Sequence, residues 1–180
     1  MVEINIQNIV ASTAIAKELN LEKIAEALPS AKYDPNKFPG LIYHIEKPKV
    51  AFLLFQSGRI VCTGAKTIEE VHEAIDIICK TLRNAGQSII EPEIEIQNIV
   101  ASADFKTKIN LSELSLSLGL ENIEYEPEIF PGMVYRLEEL NVVFLFFGSG
   151  KIVCTGARRR EDIEKAIEIV TKELSSRGFL

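Results

Sequence analysis

Soft metal ligands are scarce in this 180-residue sequence, which holds three cysteines, Cys62, Cys79 and Cys154, and two histidines, His44 and His72. No Cys-x-x-Cys pair occurs, so a zinc site of recognisable spacing is excluded. So few cysteines read as buried, reduced thiols of an intracellular protein. No apolar run is long enough to span a bilayer. The opening MVEINIQNIV lacks a basic n-region and reads as a strand, so it is not expected to be a signal peptide. Nucleophile elbow, Gly-rich phosphate loop and His/Cys constellation are all missing. Carboxylates abound, but none sits on an inward-facing strand position. The sequence therefore argues against an enzyme, and it calls for no cofactor and no metal.

Positive charge is not in excess either. The net charge of −6 by itself argues against nucleic acid as a partner. Its distribution is uneven, however. Residues 1–90 carry 10 basic and 10 acidic side chains, and residues 91–180 carry 10 and 16. The acid gathers in stretches such as Glu121, Glu124, Glu126 and Glu128, while Arg158, Arg159 and Arg160 form a basic run. The face on which each charge sits thus matters more than the average.

What the chain does contain is a tandem duplication. EINIQNIVAS at 3–12 returns as EIEIQNIVAS at 93–102, nine of ten positions matching. FPGLIY at 38–43 returns as FPGMVY at 130–135, and IVCTGA at 60–65 returns unchanged at 152–157. The offset grows from 90 to 92, which places a two-residue length difference between these blocks. Two copies are too few for a solenoid, so two repeats, 1–90 and 91–180, are expected to join about a pseudo-twofold axis as one continuous domain. Gly86 to Pro92 is the expected junction.

Each half reads as strand, helix, several strands, helix. Asn20 and Asn110 are expected helix N-caps. Ser57-Gly58 and Ser149-Gly150 are hairpin signals. From Thr67 the spacing TIEE predicts a capping box with Glu70 reaching back. The helix behind it has the stripe Val71, Ala74, Ile75, Ile78, Leu82, repeated from about Glu161 as Ile163, Ala166, Ile167, Val170, Leu174.

Alternation in the strands leaves both sheet faces apolar. Phe52, Leu54, Ile60, Cys62 and Ile9 point one way, whereas Val10, Leu53, Phe55 and Val61 point the other with Asn8 and Thr63. Four helices with one stripe each cover one face. The second face is a second core layer, a homodimer interface or a binding surface. Asn8 and Asn98 on that face favour binding, because an amide in a dry core is costly unless it is satisfied.

The paired blocks QNIVAS, FPG…Y and SG[RK]IVCTGA, in this order and twice over, resemble the core of the TATA-box-binding protein family across residues 3–176. The resemblance implies an α+β fold, a two-repeat pseudo-twofold saddle with a curved ten-stranded antiparallel sheet and four helices on its convex face. It implies a general transcription factor that holds A·T-rich promoter duplexes in the minor groove. Phe38, Phe55, Phe130 and Phe147 would be wedges that kink the duplex, a mechanism for which this family is itself a standard example. Asn8, Thr63, Asn98 and Thr155 would meet the groove acceptors of A·T pairs, which the guanine amino group would block. Val10, Leu53, Val61, Val100, Leu145 and Val153 would pack on sugars and base edges. Ser57, Arg59, Lys66, Arg136, Ser149, Lys151 and Arg158 would meet phosphates, with His44 standing in the first repeat where Arg136 stands in the second. Arg159 and Arg160 have no implied role.

Glu126, Glu128 and Ile129 match the loop on which the family docks transcription factor B, and through that complex RNA polymerase. The short N-terminus looks archaeal-like, which implies a cytoplasmic location, or a nuclear one in a eukaryote. A homodimer off DNA is compatible with all of this, and the competing small-ligand reading differs in expecting little salt dependence.

Overall fold

The computed structural model describes residues 2–180. In chain order the described residues form β1 (Ile4–Ala14), α1 (Leu21–Ala27), β2 (Leu41–Glu46), β3 (Lys49–Leu54), β4 (Arg59–Ala65) and α2 (Ile68–Asn84). The second copy gives β5 (Glu95–Asp104), α3 (Leu111–Leu118), β6 (Ile123–Glu124), β7 (Met133–Leu137), β8 (Val142–Phe146), β9 (Lys151–Ala157) and α4 (Arg160–Ser176), with a 3-10 turn at Glu138–Leu140. The fold is α+β, and its paired strands are antiparallel.

Two compact units emerge, Asn8–Gln97 and Asn98–Leu180, the latter joined by the chain up to Gln7. Within the first the strand order is β2-β3-β4-β1; within the second it is β5-β9-β8-β7-β6. Nine strands are present among the described residues, where the resemblance implies ten. The counterpart of β6 in the first repeat shrinks to a single bridge, Lys32 to Ile42. Pro29 and Pro35 flank it, and proline can neither donate to a ladder nor leave its predecessor's backbone free.

The helices begin where the sequence places them. Asn20 accepts from the Lys23 N–H at 3.1 Å and Asn110 from the Glu113 N–H at 3.1 Å, each supplying a partner for an otherwise orphan donor. Thr67 accepts from the Glu70 N–H at 3.0 Å, but the Glu70 carboxylate reaches past the cap to the Lys66 N–H, at 3.1 Å. Helix α4 begins without a side-chain cap at Arg159. Instead Arg159 pairs with Asp162 at 3.0 Å and Arg160 with Glu164 at 3.0 Å, which occupies the two arginines that had no implied role.

Each long helix lays its stripe on its own unit's strands. Val71, Ala74, Ile75, Ile78 and Leu82 are fully buried with Phe52, Leu54, Ile60 and Cys62. Ile163, Ala166, Ile167, Val170 and Leu174 are buried in the other unit with Phe144, Phe146, Ile152 and Cys154. Burying one such aliphatic or aromatic side chain contributes about 1.5–3 kcal/mol, so this face of each sheet carries the core. The three thiols are buried. Desolvation pushes Cys62 up to about 11 and Cys154 to about 12, which keeps both protonated.

Candidate nucleic-acid interface

The opposite face of each sheet stays half exposed. Strand register aligns Ile42, Leu53, Val61 and Ser12 across the first unit, and Val134, Leu145, Val153 and Ser102 across the second. A neighbouring row runs His44, Ala51, Thr63 in one unit and Arg136, Val143, Thr155 in the other. Leu53, Val61, Leu145 and Val153 are half-buried, as are Val10 and Val100. Leu53, Phe55, Leu145 and Phe147 are therefore not sealed beneath the helices of their own units.

Each apolar face carries one locked amide. In the β1–β4 ladder, Ile9 pairs with Ala65 but Ala11 pairs with Cys62, so β4 holds an extra residue opposite Val10. That bulge turns the Gly64 N–H toward Asn8, whose Oδ1 accepts it at 2.6 Å. Gly64 can do this because its φ is +111°, a region open to glycine, and because a Cβ there would come within 3.0 Å of the Lys49 carbonyl oxygen. The Asn8 Nδ2 then donates to Thr63 Oγ1 at 3.0 Å. The second unit repeats the lock: the Gly156 N–H donates to Asn98 Oδ1 at 2.6 Å, and Asn98 Nδ2 donates to Thr155 Oγ1 at 3.0 Å.

This arrangement settles which way the amide points. A backbone N–H can only donate, so it holds the carbonyl end of the asparagine. The NH2 end has two hydrogens, and the threonine uses one. A second donor hydrogen is left on an apolar, partly exposed surface, where it can meet an acceptor.

Paired rings stand at one end of each open face. Phe38 and Phe55 meet edge to face with centroids 6.0 Å apart, and Phe130 and Phe147 do so at 6.1 Å. Phe38 is 38% exposed and Phe130 41%, high values for large apolar rings. Both pairs lean over the glycine of Phe-Pro-Gly. A Cβ on Gly40 would lie 2.7 Å from the Phe38 ring, and one on Gly132 would lie 2.6 Å from the Phe130 ring. Only the missing side chain lets the rings settle there.

The family pattern described as transcription factor TFIID, or TATA-binding protein, matches residues 3–85 and again 93–176. The chain belongs to the TATA-binding protein family. It is 51% identical to the TATA-box-binding protein of Picrophilus torridus over all of this chain and 98% of the relative. It is 52% identical to that of Haloarcula marismortui over 98% of this chain and 96% of the relative. The solved structure of Methanococcus jannaschii TBP aligns with a TM-score of 0.88 at 47% identity, covering 97% of this chain and 99% of that one.

Around the open faces, this member of the TATA-binding protein family carries a polar rim. Arg59, Lys66, Lys151 and Arg158 are exposed, as are Ser57 and Ser149 in the hairpins. The Ser57 hydroxyl accepts from the Arg59 N–H at 3.5 Å, and Ser149 from the Lys151 N–H at 3.4 Å. Arg59 Nη2 also donates to Ser12 at 3.3 Å. Arg136 differs from the other rim cations in lying 3.6 Å from Glu124. Such an exposed pair is worth under about 1 kcal/mol and opens readily.

The loops before the outer phenylalanines share a backbone turn and differ in chemistry. The Lys37 and Phe38 N–H groups donate to the Asp34 carbonyl, and the Ile129 and Phe130 N–H groups to the Glu126 carbonyl, at 2.9–3.0 Å. Where the first repeat has Asn36 and Lys37, the second has Glu128 and Ile129, and Ile129 is 81% exposed.

Several participants escaped the sequence reading. Ile42, Val134 and Val143 lie on the open faces, which needed the strand register to see. Gly64 and Gly156 supply the N–H groups that orient the asparagines. Gln97 donates to Ser12 at 2.9 Å and Gln7 to Ser102 at 2.8 Å. The adjacency of Gln and Asn in both copies of the first block was the available signal.

Proposed function

We propose that this protein is a general transcription factor that binds A·T-rich promoter DNA in the minor groove, with its two half-sites on one duplex. The duplicated asparagine lock carries the reading. Each outward amide N–H suits adenine N3 or thymine O2, acceptors that A·T and T·A pairs share, whereas a guanine N2 amino group would meet donor with donor. The apolar rows around it suit sugar edges and groove floor. The rim cations and hairpin serines suit phosphates, which position a protein without conveying sequence.

The edge-to-face phenylalanine pairs are the wedges. One ring of each pair enters a base step and replaces part of the lost stacking, which bends the duplex toward the major groove. The acidic loop with Glu126, Glu128 and Ile129 repels phosphate and offers an apolar tip within negative charge, features suited to a basic protein partner. We assign it to transcription factor B, with RNA polymerase recruited through that complex and the whole acting in the cytoplasm of an archaeal cell.

Phe147→Ala against Cys79→Ala tests the mechanism. Gel shift and energy-transfer bending on an A·T-rich duplex should show lost affinity and bend for the first variant and neither for the second. Equal behaviour of both would refute the wedge assignment. Affinity should also fall steeply with salt, by about 0.9 log per log of salt for each phosphate neutralised, where a neutral small ligand would give almost no slope.

A further inference from the structure

Arg136 has no arginine counterpart in the first unit, where His44 takes its place on the open face. Arginine is charged at every working pH, whereas histidine as a residue type loses its charge between about pH 5 and 8. A second position on the same outer edge is also occupied differently. In the second unit Glu124 of β6 is the cross-strand partner of Val134; in the first, Lys32 is the bridge partner of Ile42. The Lys32 N–H donates to the Ile42 carbonyl and the Ile42 N–H to the Lys32 carbonyl, both at 2.9 Å, so the two side chains share a face. Ile42 belongs to the open row, and Lys32 beside it is exposed. The second unit shows how near these two edge positions lie, since Glu124 reaches Arg136 at 3.6 Å. Long side chains from both positions therefore serve one spot on the rim. Lys32 joins none of the ion pairs among the described residues.

We infer that Lys32 is the phosphate anchor at the outer edge of the first unit, serving from the edge bridge the spot that Arg136 serves from β7 in the second. The inference rests on the minor-groove reading proposed above. An ammonium on a flexible four-carbon stem acts on phosphate as a point charge and needs no fixed angle of approach. A lysine can therefore cover the spot from a neighbouring strand, where a shorter imidazole on β2 flanks it. The bridge to Ile42 is what aims this lysine, because it holds a single residue in sheet geometry between Pro29 and Pro35. Phosphate contacts position a protein and carry no sequence information. Lys32 thus contributes to affinity alike on every A·T-rich duplex and leaves the choice of bases to the asparagines and the apolar rows.

Lys32→Gln keeps the stem and removes the charge. In titrations of one A·T-rich duplex over a salt series, the slope of log affinity against log salt should become shallower by about 0.9, and affinity should fall roughly fivefold near 0.15 M salt. Selectivity against a duplex carrying one G·C pair should stay as in wild type, and so should the melting temperature. Lys80→Gln removes an exposed charge from α2 on the helix side and should leave the slope unchanged. Lys32→Glu should cost more than Lys32→Gln, because it sets a carboxylate where Glu124 stands in the second unit. K32E/H44R copies the second unit's pair and should regain the wild-type slope. A wild-type slope in K32Q, an equal loss in K80Q, or no recovery in K32E/H44R would overturn the inference and leave the DNA reading standing. Failure of the wild type to bind an A·T-rich duplex at any salt would overturn both.

Discussion

Replacing Asn98 by Asp exchanges the donor end of its amide for a second acceptor and leaves the first acceptor in place. The Gly156 N–H, 2.6 Å from Oδ1, keeps its partner, and a charged partner strengthens such a bond. The Thr155 hydroxyl, already 3.3 Å from Oδ1, can turn and donate. Folding should barely notice: a change within about 1 kcal/mol shifts Tm by about 2–4 °C in a chain of this size. Binding should suffer twice. A groove acceptor loses its donor, at about 1–3 kcal/mol, and a carboxylate now faces acceptors on a polyanion. Together these imply a loss of about a hundredfold or more, at about 1.4 kcal/mol per tenfold. Asn98→Ala provides the contrast, because it removes the donor without adding charge but also strips Gly156 of its partner. Titration of an A·T-rich duplex should rank wild type above Ala above Asp, while thermal melting should rank Asp at or above Ala. If the Asp variant binds as well as the Ala variant, the outward-donor account is wrong.

Gly132→Ala should disturb the ring pair without touching either ring's chemistry. The new Cβ would lie 2.6 Å from Phe130 and 3.1 Å from Phe147, so the rings must move by roughly 1 Å to reach ordinary contact. Bending measured by energy transfer should decrease, whereas Gly148→Ala, whose Cβ would meet only the Ile109 carbonyl oxygen at 3.6 Å, should bend DNA normally. Stability should fall at alkaline pH. Burial raises the Cys62 and Cys154 thiols from 9.0 to about 11 and about 12, so the unfolded chain ionises first, and the contribution present below pH 9 is lost as pH rises toward 12. Melting temperature followed across pH 8–11 checks the sign, since a flat profile contradicts it. Reversing the acidic loop with Glu126→Lys and Glu128→Lys should weaken capture of transcription factor B on preformed protein–DNA complexes while leaving the complexes themselves intact, as native gels would show.

Duplication, helix starts and the core stripes were legible in the residues because each depends on local geometry. An N-cap needs one side chain three residues from its donor, and a stripe needs only the helical period. Strand alternation likewise separated Phe52 and Leu54 from Leu53 and Phe55, since successive side chains on a strand point to opposite faces. Alternation also put Asn8, Val10, Val61 and Thr63 on the open face, whereas Phe38, Phe130, the rim cations and the acidic loop came only from the family resemblance.

What no local pattern contains is which strands lie side by side and at what offset. Register alone put Ala51 next to Thr63, and a bulge of one residue brought the Gly64 N–H to an asparagine 56 positions away. The reduction of an expected tenth strand to the Lys32–Ile42 bridge was decided there too. So was the fate of the arginine run, where Arg159 and Arg160 turned to acids one helical turn along. Sequence periodicity sorts side chains by face, because that is a property of one strand or helix. The direction of a single amide is set by a donor from another strand, and only the folded chain brings the two together.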